Sequence, residues 1–566
     1  RGWGLAGFGV RVGVDTGPVV LGPVGAGSRA EYGAFGDTVN TAARLQAAAA
    51  PGAVLVGEDT VRLVETAFEW GPPQEVEAKG KAEPVPARTA LRSLGATGRS
   101  RGLPGVHTPL VGRERELDVA REAMAEVLAG AGSILFVTGE PGIGKSRLLA
   151  EIRDAFEESA AAVGEPTWLE GKCVSYGESF PYWPFRDLVR DWLEVGFDDP
   201  ELRVRVALRR RLERLFGDRA LEVYPYLGAM LGLALEPDAA ARLADLSPEA
   251  LQYRTFEVVR ALFRRLAESG PVVVAVEDLH WADPTSVQLT ESLLGLAEES
   301  AVLLLVALRP ERDHPAWAVR EAGGREYPHR TREIALEALS GDAQRELLHA
   351  LVGPDVLPEH LERQLLDDAE GNPFYLEELV RSLADQGALV QEEGEGWRFD
   401  HLVAVEVPPS VEKVILARID RLSPRCHDLI TAASVLGRRF GISLLEGVAG
   451  ANGDLRESLH DLERLDLVRE ARRWPQPEYR FKHALIQEAA YRTLVTPKRR
   501  ALHRRAAEWL ERWHAENPDE AYGLLAHHWL EADDEDKAVS YLALAGDKAR
   551  LEYALDEAIN HYRNLL

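Results

Sequence analysis

Two cysteines in 566 residues, Cys173 and Cys426, leave nothing from which to build a disulfide framework, and they lie too far apart for metal-ligand spacing. Two buried thiols in a reducing compartment, the cytoplasm, are expected. Long hydrophobic runs are missing too. Stretches such as Ala301–Leu308 fall far short of the roughly 20 residues that span a bilayer, so a membrane is not an expected partner. Excess positive charge is absent: Lys plus Arg number 66 against 92 Asp plus Glu, a formal charge of −26. Nonspecific nucleic-acid binding needs a basic surface and is disfavoured. Lysine is scarce in an arginine-rich chain, so a single lysine inside a motif carries weight. No charged-then-apolar leader opens the chain. It starts at Arg1 inside what reads as a folded unit and ends at Leu566 inside a helical pattern, so a fragment at both ends is expected.

The length suggests roughly four domains, and a hydrophobic fraction of 46% supports sizeable cores. The most informative stretch is Gly139-Glu140-Pro141-Gly142-Ile143-Gly144-Lys145-Ser146. An apolar run, Ile134–Val137, precedes it and a helical pattern from Arg147 to about Phe156 follows. Strand, glycine loop and helix in that order are what a phosphate-binding P-loop requires. Glycines let main-chain N–H groups face a phosphate, Lys145 can reach the β- and γ-phosphates of ATP, and the Ser146 hydroxyl can ligate Mg²⁺.

Pro271–Val276 reads as a buried parallel strand ending in Glu277 and Asp278. Acids there are placed to hold Mg²⁺ through water and to polarise an attacking water. With the following Leu279-His280-Trp281-Ala282-Asp283, the element resembles the Walker B of the STAND branch of P-loop ATPases, regulators that use ATP as a switch. That resemblance puts Glu277 at the usual metal position and Asp278 at the usual base position, with their roles exchangeable. It makes Arg309, at the end of the strand Ala301–Leu308, a γ-phosphate sensor. It also makes Gly371-Asn372-Pro373 the opening of a helical subdomain, with Pro373 near the adenine. The aromatics of Pro181–Phe185 are read as core. Strand–helix alternation argues for an α/β fold with a mainly parallel sheet.

Upstream, Val10–Val14 alternates as a strand and Val19–Val24 can return beside it. Asp37 is a plausible N-cap for the alanine-rich helix that follows, on which Asn40 and Arg44 share a face. The wording from Arg11 to Val20, then Gly36-Asp37-Thr38-Val39-Asn40-Thr41-Ala42-Ala43-Arg44-Leu45, then Ala78–Lys81, resembles the C-terminal half of the class III adenylyl/guanylyl cyclase catalytic domain over about residues 8–92. The resemblance implies that Asn40 orients a ribose and Arg44 stabilises charge on the α-phosphate, with Lys79 or Lys81 and Arg11 near the triphosphate. It also implies Mg²⁺ or Mn²⁺ and a homodimer with sites at the interface. The family's metal-binding aspartates belong to the half not present. Gly33 stands where the family places a purine-reading residue.

Towards the C-terminus, Pro408–Leu422 and Arg425–Val448 are helical by periodicity, and a further helix begins within Phe481–Tyr491. In STAND proteins a winged helix of this kind closes over the nucleotide, which makes His483 a candidate phosphate contact. Lys537–Ala549 and Ala554–Leu566 form paired amphipathic helices resembling tetratricopeptide repeats, whose period is about 34 residues; a protein or ligand partner for them is implied.

The expected layout is a multidomain chain. An α/β cyclase half-domain spans 1–92 and a linker 93–107. An α/β P-loop ATPase core occupies 108–330, with its helical subdomain at 331–400. An all-α region follows, winged-helix-like over 401–510 and repeats over 511–566. The expected function is an ATP-binding intracellular signalling protein whose cyclase, making cyclic AMP and pyrophosphate from ATP, is regulated by a STAND-type switch. The alternatives are a switch carrying an inactive cyclase domain, or a transcription regulator with a DNA-binding domain beyond Leu566.

Overall fold

Three strands of this chain are buried along their whole length, which requires a sheet covered on both faces. The structure is a computed structural model that describes residues 10–17, 20–24, 31–63, 68–76, 84–93, 110–160, 166–173, 181–196, 199–392, 396–401, 403, 407, 410–450, 455–472, 477–515, 518–551 and 554–565. It divides into two units, Arg1–Arg99 and Ser100–Leu566.

The larger unit is built on five parallel strands: β1 (Ser133–Gly139), β2 (Thr167–Lys172), β3 (Val272–Glu277), β4 (Val302–Leu308) and β5 (Thr331–Leu336), in the order β5-β1-β4-β3-β2. Side chains alternate between two cores with the period of two that a strand imposes. Phe136, Val274 and Val306 face one side; Val137, Ala275 and Leu305 face the other, against the helix Lys145–Ala160. That helix buries Leu148, Ile152, Phe156 and Ala160, one residue per turn along a single stripe. Tyr182 and Phe185 are core, as the sequence suggests. Edge strand β5 is only alternately buried, and Arg332 on it donates to both carboxylate oxygens of Glu126 at 2.8 Å.

The sequence expectation of one helix over Arg425–Val448 is corrected. A helix covers Pro424–Val435, Gly437 turns the chain at φ +94°, Arg439–Gly441 is a strand, and a second helix covers Ile442–Ala449. Heptad-like apolar spacing runs through the break, which is why periodicity misses it. Arg439–Gly441 pairs with Glu478–Phe481, which pairs with Val468–Arg472, all antiparallel. This mostly helical region thus also carries a three-stranded wing. Buried ion pairs tie it to the helix Pro373–Asp385: Arg381 to Asp466, and Arg418 to Glu378 and Asp385. Helices Thr496–Trp513, Tyr522–Glu531, Glu535–Leu551 and Leu555–Leu565 then pack in sequence.

In the smaller unit, Val12–Val14 pairs parallel with Val54–Gly57, and Val85–Ser93 runs antiparallel beside it. Val20–Val24 does not return beside the first strand; it forms a separate hairpin with Glu31–Phe35. The helix Asp37–Ala48 lies directly on Gly13, where a Cβ would come within 2.2 Å of the Ala42 carbonyl oxygen. Asp37 is the first helical residue and Gly36 the cap, correcting the expected N-cap.

Candidate nucleotide site

The loop leaving β1 turns through two glycines in the left-handed region, Gly142 at φ +81° and Gly144 at φ +109°. Only glycine takes such angles without strain. A Cβ on Gly142 would also lie 2.9 Å from Asn372 Oδ1. Asn372 holds the loop from the far side. Its Nδ2 donates to the Pro141 carbonyl at 3.2 Å, while its Oδ1 accepts from the N–H groups of Phe374 and Tyr375 and so caps the helix Pro373–Asp385. The cap and the phosphate loop are therefore one hydrogen-bonded piece.

One cavity gathers the residues singled out from the sequence. Pro141, Gly142, Ile143, Gly144, Lys145, Ser146, Asp278, Arg309, Pro373 and His483 all line it. Its apolar wall is Leu110, Val111, Leu336, Leu339, Leu347 and Phe374, and its polar end holds Lys145, Asp278, Arg309, Arg438 and Lys482. A cavity lined by both apolar side chains and several cations suits a nucleoside polyphosphate. Gly139 and Glu140 turn their carbonyls to Lys145, whose Nζ donates to them at 2.6 and 3.0 Å. Burial pushes the Lys145 ammonium down to about 8, against the pull of Asp278. It stays mainly charged at neutral pH.

The two acids at the end of β3 part company. Glu277 is the last extended residue; Asp278 then takes a left-handed φ of +56°, which swings its side chain into the cavity. Glu277 is not among the cavity-lining residues. It is buried against β2, where Lys172 Nζ lies 3.0 Å from it and 2.7 Å from Glu170. Burial pushes Glu277 up to about 7, while Lys172 opposes the rise. Of the two acids expected at the metal and base positions, Asp278 therefore faces the loop in this structure, while Glu277 is held by Lys172 behind it. Burial also raises Asp278, yet Arg438, with His280 and Lys145, holds it below the ordinary carboxylate range. Ser146 and Asp278 line the same cavity and are the oxygen donors there that could hold Mg²⁺. Beside them, both ring nitrogens of His280 are buried without a hydrogen-bond partner among the described residues, which suits an ordered water or ligand atom.

Arg309 lies over the Trp281 ring at 5.3 Å, steered to the cavity by that contact. His483 caps the helix Ala484–Arg492 through Nδ1, which accepts from Leu485 N–H at 3.3 Å, and its ring stacks on Phe374 at 4.0 Å. With Nδ1 accepting, the neutral ring carries its proton on Nε2. Sequence reasoning missed three cations here. Arg438 reaches Asp278 at 2.8 Å. Lys482 stands beside His483 and pairs with Asp466. Arg113 donates to the carbonyls of Glu337 and Ile143 at 2.6 and 3.4 Å, clamping the loop from behind. The doublet Arg438-Arg439 after Gly437 is the one local signal that could have flagged the first of these.

In the smaller unit Asn40 is exposed and Arg44 half-buried on the same helix. Arg44 Nη1 is buried without a hydrogen-bond partner among the described residues. Arg11 Nη1 donates to the Ala47 carbonyl at 3.3 Å, in the last turn of the same helix. Gly33 pairs with Gly22 in the hairpin. Lys79 and Lys81 lie outside the described residues.

Comparison with known proteins agrees with this division. Residues 109–306 match the family described as AAA ATPase domain, residues 4–87 the adenylate and guanylate cyclase catalytic domain, and residues 340–396 a domain of unknown function. The chain joins part of a cyclase domain to an AAA ATPase domain. An uncharacterized protein of Rhizobium meliloti (strain 1021) is 27% identical over 92% of this chain and 49% of its own length. Adenylate cyclase type 10 of Mus musculus is 22% identical over 77% of this chain and 29% of its own. The chain thus spans half or less of these relatives. Among solved structures, a STAND (signal transduction ATPase with numerous domains) protein with a tetratricopeptide repeat sensor from Pyrococcus horikoshii aligns over 83% of this chain and 54% of its own, at 12% identity and a TM-score of 0.44. Among the described residues no helix is long and apolar enough to cross a membrane.

Proposed function

We propose that the larger unit is an ATP-driven switch that controls a nucleotide cyclase to which the smaller unit contributes, with cyclic AMP and pyrophosphate as the products formed from ATP. The carrying observation is the single cavity on which the P-loop, Asp278, Arg309, Arg438 and His483 converge, because the last two belong to the wing region rather than to the ATPase sheet. A ligand there touches both parts at once, which is the requirement for biasing their arrangement.

In this reading the base lies along Leu339, Leu347 and Phe374 near Pro373, and main-chain N–H groups of Gly142–Ser146 cradle the phosphates. Ser146 and Asp278 would hold Mg²⁺, which when bound would offset the negative charge of the phosphates. Lys145 leaves its own loop carbonyls for the phosphates. Arg309 and His483 report on the γ-phosphate, and Asp278 orients the attacking water. Hydrolysis is slow because its role is to reset the conformation. Lys145→Ala is expected to abolish ATP binding measured calorimetrically; unchanged affinity would place the nucleotide elsewhere.

The cyclase reading rests on Asn40 and Arg44 standing one turn apart on their helix, with a guanidinium nitrogen of Arg44 that finds no hydrogen-bond partner among the described residues. Its site requires Mg²⁺- or Mn²⁺-binding acids outside the sequence given and a second cyclase domain, most simply from a homodimer. The test is cyclic nucleotide formation by the intact protein from ATP and from GTP with Mn²⁺. Gly33 at the purine-reading position favours the runner-up, a switch with an inactive cyclase domain, and absence of product from both substrates would select it.

A further inference from the structure

Three histidines meet at the joint between the wing region and the repeats, remote in sequence from the nucleotide loop. His503 comes from the helix Thr496–Trp513; His527 and His528 come from the next helix, Tyr522–Glu531. One ring nitrogen from each lies within 4.8 Å of the others. Ring centres are 5.1 Å apart for His503 and His528, 5.2 Å for His527 and His528, and 5.7 Å for His503 and His527. Three imidazoles on a tetrahedral ion, with metal–nitrogen bonds of about 2.0 Å, would hold ring centres about 5.2 Å apart. Two of the three separations have that value, and the third exceeds it by half an ångström.

The ring orientations agree. Tyr491 Oη donates to Glu531 Oε2 at 3.2 Å and lies 3.1 Å from His503 Nε2. With its proton committed to Glu531, the phenol accepts from His503 Nε2–H, which leaves a lone pair on His503 Nδ1. That Nδ1 accepts from His528 Nδ1–H at 2.9 Å, so an ion taken between the two rings requires His528 to move its proton to Nε2. A carboxylate, here relayed by a phenol, that fixes the tautomer of an inward-facing histidine is the usual outer shell of a metal ligand.

We propose that His503, His527 and His528 bind one Zn²⁺ ion through three imidazole nitrogens, joining the last helix of the wing region to the first repeat helix. An all-nitrogen tetrahedral set selects Zn²⁺ over Mg²⁺ or Ca²⁺, which take oxygen ligands. His527 is half-buried, which places the cluster near the surface, and a fourth ligand could come from water. The ion would lock the angle at which the repeats leave the nucleotide-binding part.

The test is titration of the whole chain, stripped of metal, with Zn²⁺ alone against a chromophoric chelator. One tight equivalent is expected, together with tetrahedral visible bands when Co²⁺ is used instead. His528→Gln sits in a fully buried place and risks misfolding, so His527→Gln, checked by circular dichroism, is the deciding variant and should weaken binding at least tenfold. Tyr491→Phe leaves every ligand in place but frees the His503 tautomer, and should weaken binding about tenfold. No tight equivalent in the parent chain, or unchanged affinity in His527→Gln, would show that the rings only hydrogen-bond to one another.

Discussion

Arg438 Nη1 lies 2.8 Å from Asp278 Oδ2, although the two residues are 160 positions apart and belong to different layers of the larger unit. The contact ties the wing strand Arg439–Gly441 to the end of β3, inside the nucleotide cavity. Both side chains are mostly buried, so solvent screens the pair only partly. Arg438→Ala is expected to loosen the wing by about 1.5–3 kcal/mol, the usual value of a hydrogen bond between charged groups. Hydrogen exchange at Phe440 and Gly441 should rise while the core of β4 stays protected. Equal protection in parent and variant would show that the pair holds nothing.

A second contact across the unit depends on a proton. Glu557, on the last helix, accepts from Thr285 N–H at 2.9 Å and Thr285 Oγ1 at 2.8 Å, and it faces Asp283, the cap of the helix that follows the acidic pair. Burial, then the neighbouring Asp283, pushes Glu557 up to about 8. A carboxyl raised in the folded state stabilises the docked helix fully below its unfolded value near 4.5, and that stabilisation is lost as pH rises through 8. Release of the helix Leu555–Leu565, followed by limited proteolysis from pH 6 to 9, should therefore increase with pH. Glu557→Gln removes the ionisable group and should flatten the profile; a pH dependence that survives it would point to another residue.

Asn372 serves two structures with one side chain, so its loss should be felt in two measurements. Asn372→Ala removes the cap of the helix Pro373–Asp385, worth about 1 kcal/mol, and also the bond that holds Pro141. The expected result is a small fall in melting temperature with a larger fall in ATP affinity. Replacement by Asp restores the cap acceptor but not the donor to Pro141, so it should recover stability and not affinity. Parallel recovery of both would mean that the loop does not depend on Asn372.

The nucleotide loop is legible in the sequence because its chemistry is local: eight consecutive residues contain the turn angles, the lysine and the hydroxyl. Three of the five strands, β1, β3 and β4, are legible for a related reason, since burial on both faces leaves continuous apolar runs; β2 and β5 lie at the sheet edges, are only partly buried and leave no such run. What cannot be read is whatever arrives from elsewhere. Arg438 and Lys482 reach the cavity only once Gly437 has broken the helical pattern and the wing has paired, and Arg113 acts through carbonyls that any residue would present. Nor does spacing tell that Arg11 is committed to the Ala47 carbonyl. The His503, His527 and His528 group is invisible for the same reason, being split between two helices whose packing decides it.

The acids Glu277 and Asp278 are the sharpest case of adjacency without equivalence, and they give the most decisive substitution. One peptide apart, they are separated by the left-handed turn at Asp278, which leaves Glu277 with Lys172 and Glu170 and directs Asp278 to the cavity. Asp278→Asn keeps size and removes charge. It should slow ATP hydrolysis by about 10²–10⁴-fold, the usual span for loss of a positioned acid or base, with ATP still bound. Glu277→Gln replaces a group that does not line the cavity and whose carboxyl burial already pushes up to about 7, so ATP affinity and hydrolysis should change by less than about tenfold. Lys172 keeps Glu170 as an ion-pair partner at 2.7 Å, so stability should also change little. The reverse pattern, with hydrolysis lost in Glu277→Gln and kept in Asp278→Asn, would mean that the acting carboxylate is Glu277 and that nucleotide binding rotates it out of its pair with Lys172.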